Sequence, residues 1–298
     1  MKSLLKSLSL TAFSEAVFRG SNFLISIYLA RKLGVDNFGL WAFYTTIFMY
    51  LNIINNFGLD MYGVKKIANG SEKSYVFTNV MVFKFLVYIL IAFVSSFLMF
   101  FVLECDVHIY LLGFLLLALI GYDIASVWMA QGLEEFRLIA SAKIIYSLVY
   151  VGFVIVAIDS SDDIVLLGLL FAISHFVLAL FYIKPHLLKY FDLKQLDIKK
   201  WKPMLITGGV LFLSILFAGA YANIDRVMIM GFLGDRSLGE YEAAFKIYSL
   251  VVMFVQLLWI VFAPKIAKKE SKSLLLFAGI ILYFSIIFST IIIFYGDN

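Results

Sequence analysis

The sequence predicts an all-α, polytopic integral membrane protein. About nine transmembrane helices are expected, as a two-lobe helical bundle with a duplicated lobe, the second copy incomplete. Three observations carry that reading. The 298 residues are 63% hydrophobic and 15% charged, with mean hydropathy +0.98. A soluble domain is nearer half apolar and a quarter charged. Apolar runs of about 20 residues, the length that crosses a bilayer, recur from end to end. Finally, LGVDNFGLW at Leu33 to Trp41 returns as LGDRSLGEY at Leu233 to Tyr241. Leu33, Gly34 and Gly39 match Leu233, Gly234 and Gly239, and Trp41 matches Tyr241. The echo continues with Ile47 and Ile247, and with Lys65 and Lys265 closing the next helix. Each stretch leaves one apolar segment and enters another, so each reads as a tight turn, where glycine tolerates positive φ. Duplication is a signature of transporters, and here both copies point the same way in the membrane.

In chain order the spans fall at roughly 10–31, 38–60, 76–103, 109–131, 140–158, 163–183, 203–225, 237–264 and 273–295. Lys2 and Lys6 precede an apolar run, which mimics a signal peptide. The run continues past Glu15 and Arg19 to Ala30 without a small-residue cleavage site, so it reads as a retained first helix. Pro185, Pro203 and Pro264 sit near apparent membrane edges, where a missing N–H does least harm. Residues 1–183 are expected to form a six-helix lobe and 184–202 a cytoplasmic basic linker. Residues 203–298 are expected to be the first three helices of the second lobe. The linker alternates lysine with Leu187, Leu188, Leu193, Leu196 and Ile198, which fits either a short surface helix on anionic lipid or a plain basic loop.

Loop charge sets the orientation. Seventeen of the 24 lysines and arginines flank the spans on one side, from Lys2 and Lys6 through the linker to Lys272. The opposite loops carry Glu104, Asp106, Asp159, Asp162 and Asp163, with Arg31, Lys32 and Arg236 as exceptions. The basic side is cytoplasmic by the positive-inside rule, so the N-terminus is inside. Net charge +4 then needs no nucleic acid to explain it.

Catalytic classes find little support. The single Cys105 excludes an internal disulfide and any multi-cysteine metal site. The chain has no phosphate-binding glycine-lysine loop and no HExxH, and three histidines give no convincing catalytic pair. No cofactor or metal is expected, and the chain reads as a non-enzyme.

Polar residues inside spans are the functional pointers, because a charge there is costly without a cavity or partner. Glu15, Arg19, Asn22 and Ser26 share one face of the first helix. Asn52, Asn55, Asn56 and Asp60 lie at the same depth on the second. Lys84 and Asp123 also fall in the inner half. Asp225, Arg226 and Lys246 fall in the outer half of the second lobe, with Gln256 deeper. Each also has a bland reading: Glu15 and Arg19 as a self-satisfied pair, Lys84 snorkelling, His175 as a hydrogen-bonded core histidine.

The stretch Leu24 to Ala68 carries Ala30-Arg31, Leu33-Gly34, Phe38-Gly39 and Trp41, then Phe57-Gly58-Leu59. It resembles the opening of bacterial polysaccharide flippases of the O-antigen type, in the multidrug, oligosaccharidyl-lipid and polysaccharide exporter superfamily. Asn223 to Lys265, with Asp225-Arg226, Leu238-Gly239-Glu240-Tyr241, Ala244 and Pro264, looks like the start of that family's second lobe. The resemblance implies two six-helix bundles around a cavity that opens alternately to each side of the bacterial inner membrane. It implies undecaprenyl-diphosphate-linked oligosaccharide as cargo, flipped from cytoplasmic to outer leaflet in polysaccharide or lipopolysaccharide biosynthesis. It brings the bilayer and a polysaccharide polymerase with its chain-length machinery into view as partners. Nine spans depart from the usual twelve. Arg19 and Lys84 are then expected to face the cavity and hold the diphosphate, with Lys246 meeting it nearer the outer leaflet. Glu15, Asn52 and Asn56 would be interim partners. Two alternatives stay open: an ion-coupled exporter of drugs or cell-wall precursors using Asp123 or Asp225, and a membrane polymerase or acyltransferase.

Overall fold

The computed structural model describes residues 2–102, 106–267 and 277–283, and among them the fold is all-α. Cys105 lies outside these residues, as does most of the expected ninth span. Helix α1 runs Lys2–Asn56 and is broken at Gly34, where φ is 73° and ψ 172°. Then follow α2 (Leu59–Ala68), α3 (Lys73–Val102), α4 (Asp106–Ala125), α5 (Val127–Gly132), α6 (Phe136–Ala157) and α7 (Ile164–Tyr182). The last long helix, α9 (Trp201–Ala267), is broken at Gly234 with φ 83° and ψ −179°. Both breaks fall where the repeated motif places a turn. Positive φ at these two positions is the reason for glycine. The expected Phe57-Gly58 helix end is also a break, with φ 48° and 71°.

The linker forms no sustained surface helix. It is a π turn at Ile183–Leu187, one α turn α8 (Leu188–Tyr190) and two 3-10 turns. The reason is competition for backbone donors. Asp192 N–H donates to Thr78 Oγ1 at 2.9 Å and Asp197 N–H to Asn79 Oδ1 at 3.0 Å. Those donors are therefore tied to α3 rather than to a helix of their own.

Five described stretches are long and apolar enough to cross a membrane: Lys73–Phe97, Val107–Gly132, Phe136–Ala157, Ser161–Tyr190 and Ile198–Ser249. The arms of α1 fall outside that set, because Glu15, Arg19 and Asn22 on one and Asn52, Asn55 and Asn56 on the other dilute them. This is a multi-pass membrane protein. Its α3 shows a continuous apolar face to the surroundings through Phe85, Leu86, Ile89, Leu90, Phe93 and Phe97. That is the face a lipid solvent favours.

Contacts divide the chain into two compact units, Met1–Ala243 and Ala244–Asn298. In the first, α4 packs along α7, and α6 against both α1 and α7. The core gathers Leu29, Leu33, Phe38 and Trp41 from α1 with Leu111, Leu115, Val154 and Leu167. Tyr28 Oη donates to the Ile158 carbonyl at 2.7 Å, and Lys32 pairs with Asp159 at 3.0 Å, tying the Gly34 turn to the 158–163 loop. The Asp159 carboxylate raises the Lys32 ammonium above its ordinary pKa.

Candidate functional site

Lys84 is 2% exposed in the middle of α3. Its Nζ lies 2.9 Å from Asp123 Oδ1 and 2.9 Å from Asp60 Oδ1. The Asp60 contact is an ion pair without hydrogen-bond alignment, whereas the Asp123 contact is a hydrogen bond. Asn55 donates to the other oxygen of Asp123, and Asn56 to Asp60 Oδ2 at 2.7 Å. The carbonyl oxygen of Asn55 has no donor. Among the described residues, one cation is thus met by two carboxylates. Burying such charges is tolerable only because they are paired and hydrogen-bonded. Equal depth on three spans was legible in the sequence. The pairing of Lys84 with Asp60 and Asp123, rather than with Glu15, Asn52 and Asn56, was not. Asn52 is half-buried, one turn before Asn56, with no hydrogen-bond partner among the described residues.

Arg19 has the opposite balance. Its Nε lies 2.6 Å from Glu15 Oε1, and Lys143 on α6 bonds the other oxygen of Glu15. Two cations share one carboxylate. Arg19, Lys143 and Glu15 are all partly exposed. Lys143 also stands 4.6 Å from the centroid of the Phe18 ring, a cation–π distance. In the sequence Lys143 counts only as a loop charge, and nothing there assigns it to Glu15, 128 positions away.

In the second half, Arg226 Nε pairs with Glu242 and its guanidinium also bonds Asn223 Oδ1, while Tyr241 Oη donates to Asp225. Both links join residues 16 apart, across the Gly234 break. Glu242, buried like Arg226, is a partner the sequence did not single out. Lys246 lies in the second unit, where its carbonyl accepts from Ser249 Oγ at 2.8 Å. Pro264 falls on α9, outside the residues whose side chains are described.

The two turns meet each other. A Cβ built on Gly39 would collide with the Asp235 carbonyl, and one on Gly239 with the Val35 carbonyl. Val35 and Asp235 are themselves equivalent positions of the repeat. The contact is therefore reciprocal, as across a two-fold axis. Along the same seam Tyr50 Oη donates to the Gly219 carbonyl at 3.4 Å, and the Phe57 ring stacks on Phe212 at 5.0 Å.

One further polar chain was not foreseen. Ser126 adopts a left-handed φ of 41° between α4 and α5. Its Oγ lies 3.3 Å from His186 Nδ1, and His186 Nε2 lies 2.8 Å from Glu135 Oε2. The residue types match a hydrolytic triad, but Ser126 and His186 are both fully buried. The chain acts as a strut that holds the α4–α5 break to the π turn, where strain at Ser126 is held by its surroundings. Among the described residues no group of His, Cys, Asp and Glu is arranged to hold a metal ion.

Comparison with known proteins follows the same outline. The family model described as "Polysaccharide biosynthesis protein" matches residues 4–270. A "Putative O-antigen transporter" of Escherichia coli (strain K12) is 24% identical over 240 residues, which cover 77% of this chain and 57% of that protein. The chain thus spans about 57% of the length of the curated relative it matches. No solved structure matches.

Proposed function

The chain belongs to the polysaccharide biosynthesis protein family, and from that premise we propose that it moves undecaprenyl-diphosphate-linked oligosaccharide from the cytoplasmic to the outer leaflet of the inner membrane. The cargo has a diphosphate and a hydroxyl-rich head. Neither crosses about 30 Å of hydrocarbon unaided. A transporter must offer that head a polar, cationic path and expose it to each side in turn.

The observation that carries the reading is the pair of cations gathered at Glu15. Arg19 and Lys143 share that one carboxylate and are partly exposed. An incoming phosphate accepts charge-assisted hydrogen bonds from both cations. Arg19 has the larger part, since its planar fork engages phosphate bidentately. Lys84, already matched by two carboxylates, holds the second, third and fourth spans together. In this reading residues 1–183 and the part from 203 onward are two lobes that rock about the Gly39–Gly239 contact, with a cytoplasmic N-terminus. The reciprocal docking of the two turns supports that two-lobe arrangement.

The test is made in the native host at the native locus. Arg19→Ala with Lys143→Ala, at unchanged membrane level, is expected to abolish surface glycan and to accumulate its lipid-linked precursor on the cytoplasmic side. Arg19→Lys is expected to impair export although charge is kept. Full glycan export by the double variant would refute the reading.

The Lys84 cluster favours a second reading, an ion-coupled exporter. A site with two carboxylates and one cation can take up a proton or a metal cation during the cycle. Transport that collapses with the proton or sodium gradient, and with Asp123→Asn, would favour it.

A further inference from the structure

A cavity of about 320 Å³ lies inside the first bundle, between the first arm of α1, α4 with α5, α6 and α7. Its walls are aromatic: Phe18, Tyr122, Tyr146, Tyr182 and the imidazole of His175. The rings brace one another. Tyr146 meets His175 nearly edge to face at 5.3 Å, and Phe18 lies 6.2 Å from Tyr146. This is a preformed box, not a collapsed one.

Several polar groups of the walls have no hydrogen-bond partner among the described residues. Among the described residues, the hydroxyls of Tyr122, Tyr146 and Tyr182 and the amide of Gln131 make no hydrogen bond. His175 Nδ1 lies 2.9 Å from the Phe171 carbonyl. In that bond Nδ1 carries the proton, so Nε2 is left as an acceptor. Polar groups in a membrane interior are costly when unmatched, so this constellation calls for a ligand rich in hydrogen-bonding groups. An acyl or prenyl chain would leave every one of them unpaired. A bare anion would leave the aromatic faces without purpose. A sugar ring satisfies both demands, since its C–H faces lie on aromatic rings and its hydroxyls both donate and accept. The volume is at the small end of ligand pockets. Lys143 lines the same cavity, so a phosphate on Lys143 and Arg19 would stand at its rim.

We propose that this cavity is a sugar subsite, which takes the saccharide residue next to the phosphate of a lipid-linked oligosaccharide. The assignment of that residue rests on the anion reading of Arg19 and Lys143. The existence of the subsite does not.

The test uses the full chain in lipid nanodiscs and saturation-transfer NMR. The probes are free hexoses, N-acetylhexosamines and 6-deoxyhexoses, with undecaprenyl phosphate as a probe that lacks sugar. Ring protons of at least one sugar class are expected to receive saturation. Tyr122→Phe and Tyr146→Phe are each expected to weaken that sugar about two- to tenfold, the worth of one hydrogen bond. Neither should lower the melting temperature, because neither hydroxyl bonds the protein. Both should leave undecaprenyl phosphate binding unchanged, while Arg19→Ala weakens it. No transfer to any sugar class would overturn the subsite, as would wild-type sugar affinity in both tyrosine variants or a lowered melting temperature in them. If the sugar binds as expected but Arg19→Ala leaves undecaprenyl phosphate untouched, the subsite stands and the anion reading falls.

Discussion

Leu33 and Leu233 occupy the same place in two turns of the same backbone geometry, yet Leu33 is 2% exposed and Leu233 is 66% exposed. The turns around them differ in the same sense. The first is held by apolar packing of Ile25, Leu29, Phe38 and Trp41 in the large core. The second is held by Arg226 on Glu242 and Tyr241 on Asp225. Position 26, the counterpart of Arg226, is Ser26, which among the described residues bonds only the Phe23 carbonyl one turn back. Backbone constraint has been kept in both copies: a positive φ at Gly34 and Gly234, and a Cβ-free approach at Gly39 and Gly239. Side-chain chemistry has not, because it answers to surroundings. The first turn lies against α4, α6 and α7, so apolar burial holds it, with Lys32 on Asp159 and Tyr28 on the Ile158 carbonyl at its edge. Around Leu233 the described residues leave the second turn exposed, and a buried ion pair serves as its clasp.

That contrast can be broken most forcefully at the clasp. Arg226→Met removes a buried ion pair from Glu242, and is expected to destabilise the protein by about 3–5 kcal/mol. Replacing both partners, as Arg226→Met with Glu242→Leu, is expected to recover most of that loss. Ser26→Ala, at the equivalent place, should cost about 1 kcal/mol or less. Thermal unfolding in one detergent orders the three. A Ser26→Ala loss as large as that of Arg226→Met would erase the distinction. The leucines come next. Leu33→Ala empties a packed site and is expected to cost about 2–5 kcal/mol. Leu233→Ala should stay within about 0.5 kcal/mol. Equal shifts would mean that the second turn is as enclosed as the first. The third comparison is at the shared contact. Gly39→Ala and Gly239→Ala each force two backbones apart, at about 1–3 kcal/mol apiece. The double variant should cost less than their sum, because one displacement relieves both collisions. Strict additivity would show that the two glycines do not share one contact.

Much of this was legible beforehand, for physical reasons. Glycine at Gly34 and Gly234 is dictated by backbone geometry, which acts locally, so the motif gave both breaks. Span polarity follows from the cost of charge in lipid, so Glu15, Arg19, Lys84, Asp123 and Arg226 stood out one by one. Their partners did not, because pairing is decided by packing between helices far apart in sequence. Lys143 looked like a loop charge until α6 set it on Glu15. Glu242 did not stand out until the Gly234 break folded it onto Arg226. The aromatic cavity was invisible for the same reason. Phe18, Tyr122, Tyr146 and Tyr182 sit on four helices, and nothing in their spacing sets them around one space. The linker left two readings open, a surface helix and a plain basic loop. Its apolar–basic alternation suits a surface helix, but Thr78 and Asn79 capture its backbone donors.

The central claim is that two parallel copies of one hairpin meet at their turns, on one side of the membrane. Asp36 and Arg236 are equivalent positions, both exposed and both beside that contact. Spin labels on cysteines at these two sites, with Cys105 replaced, can be read by dipolar spectroscopy in lipid nanodiscs. Docked turns give a distance well below the roughly 30 Å of the hydrocarbon core. A distance at or above that thickness would place the turns on opposite faces and contradict both the duplication and the lobe arrangement built on it.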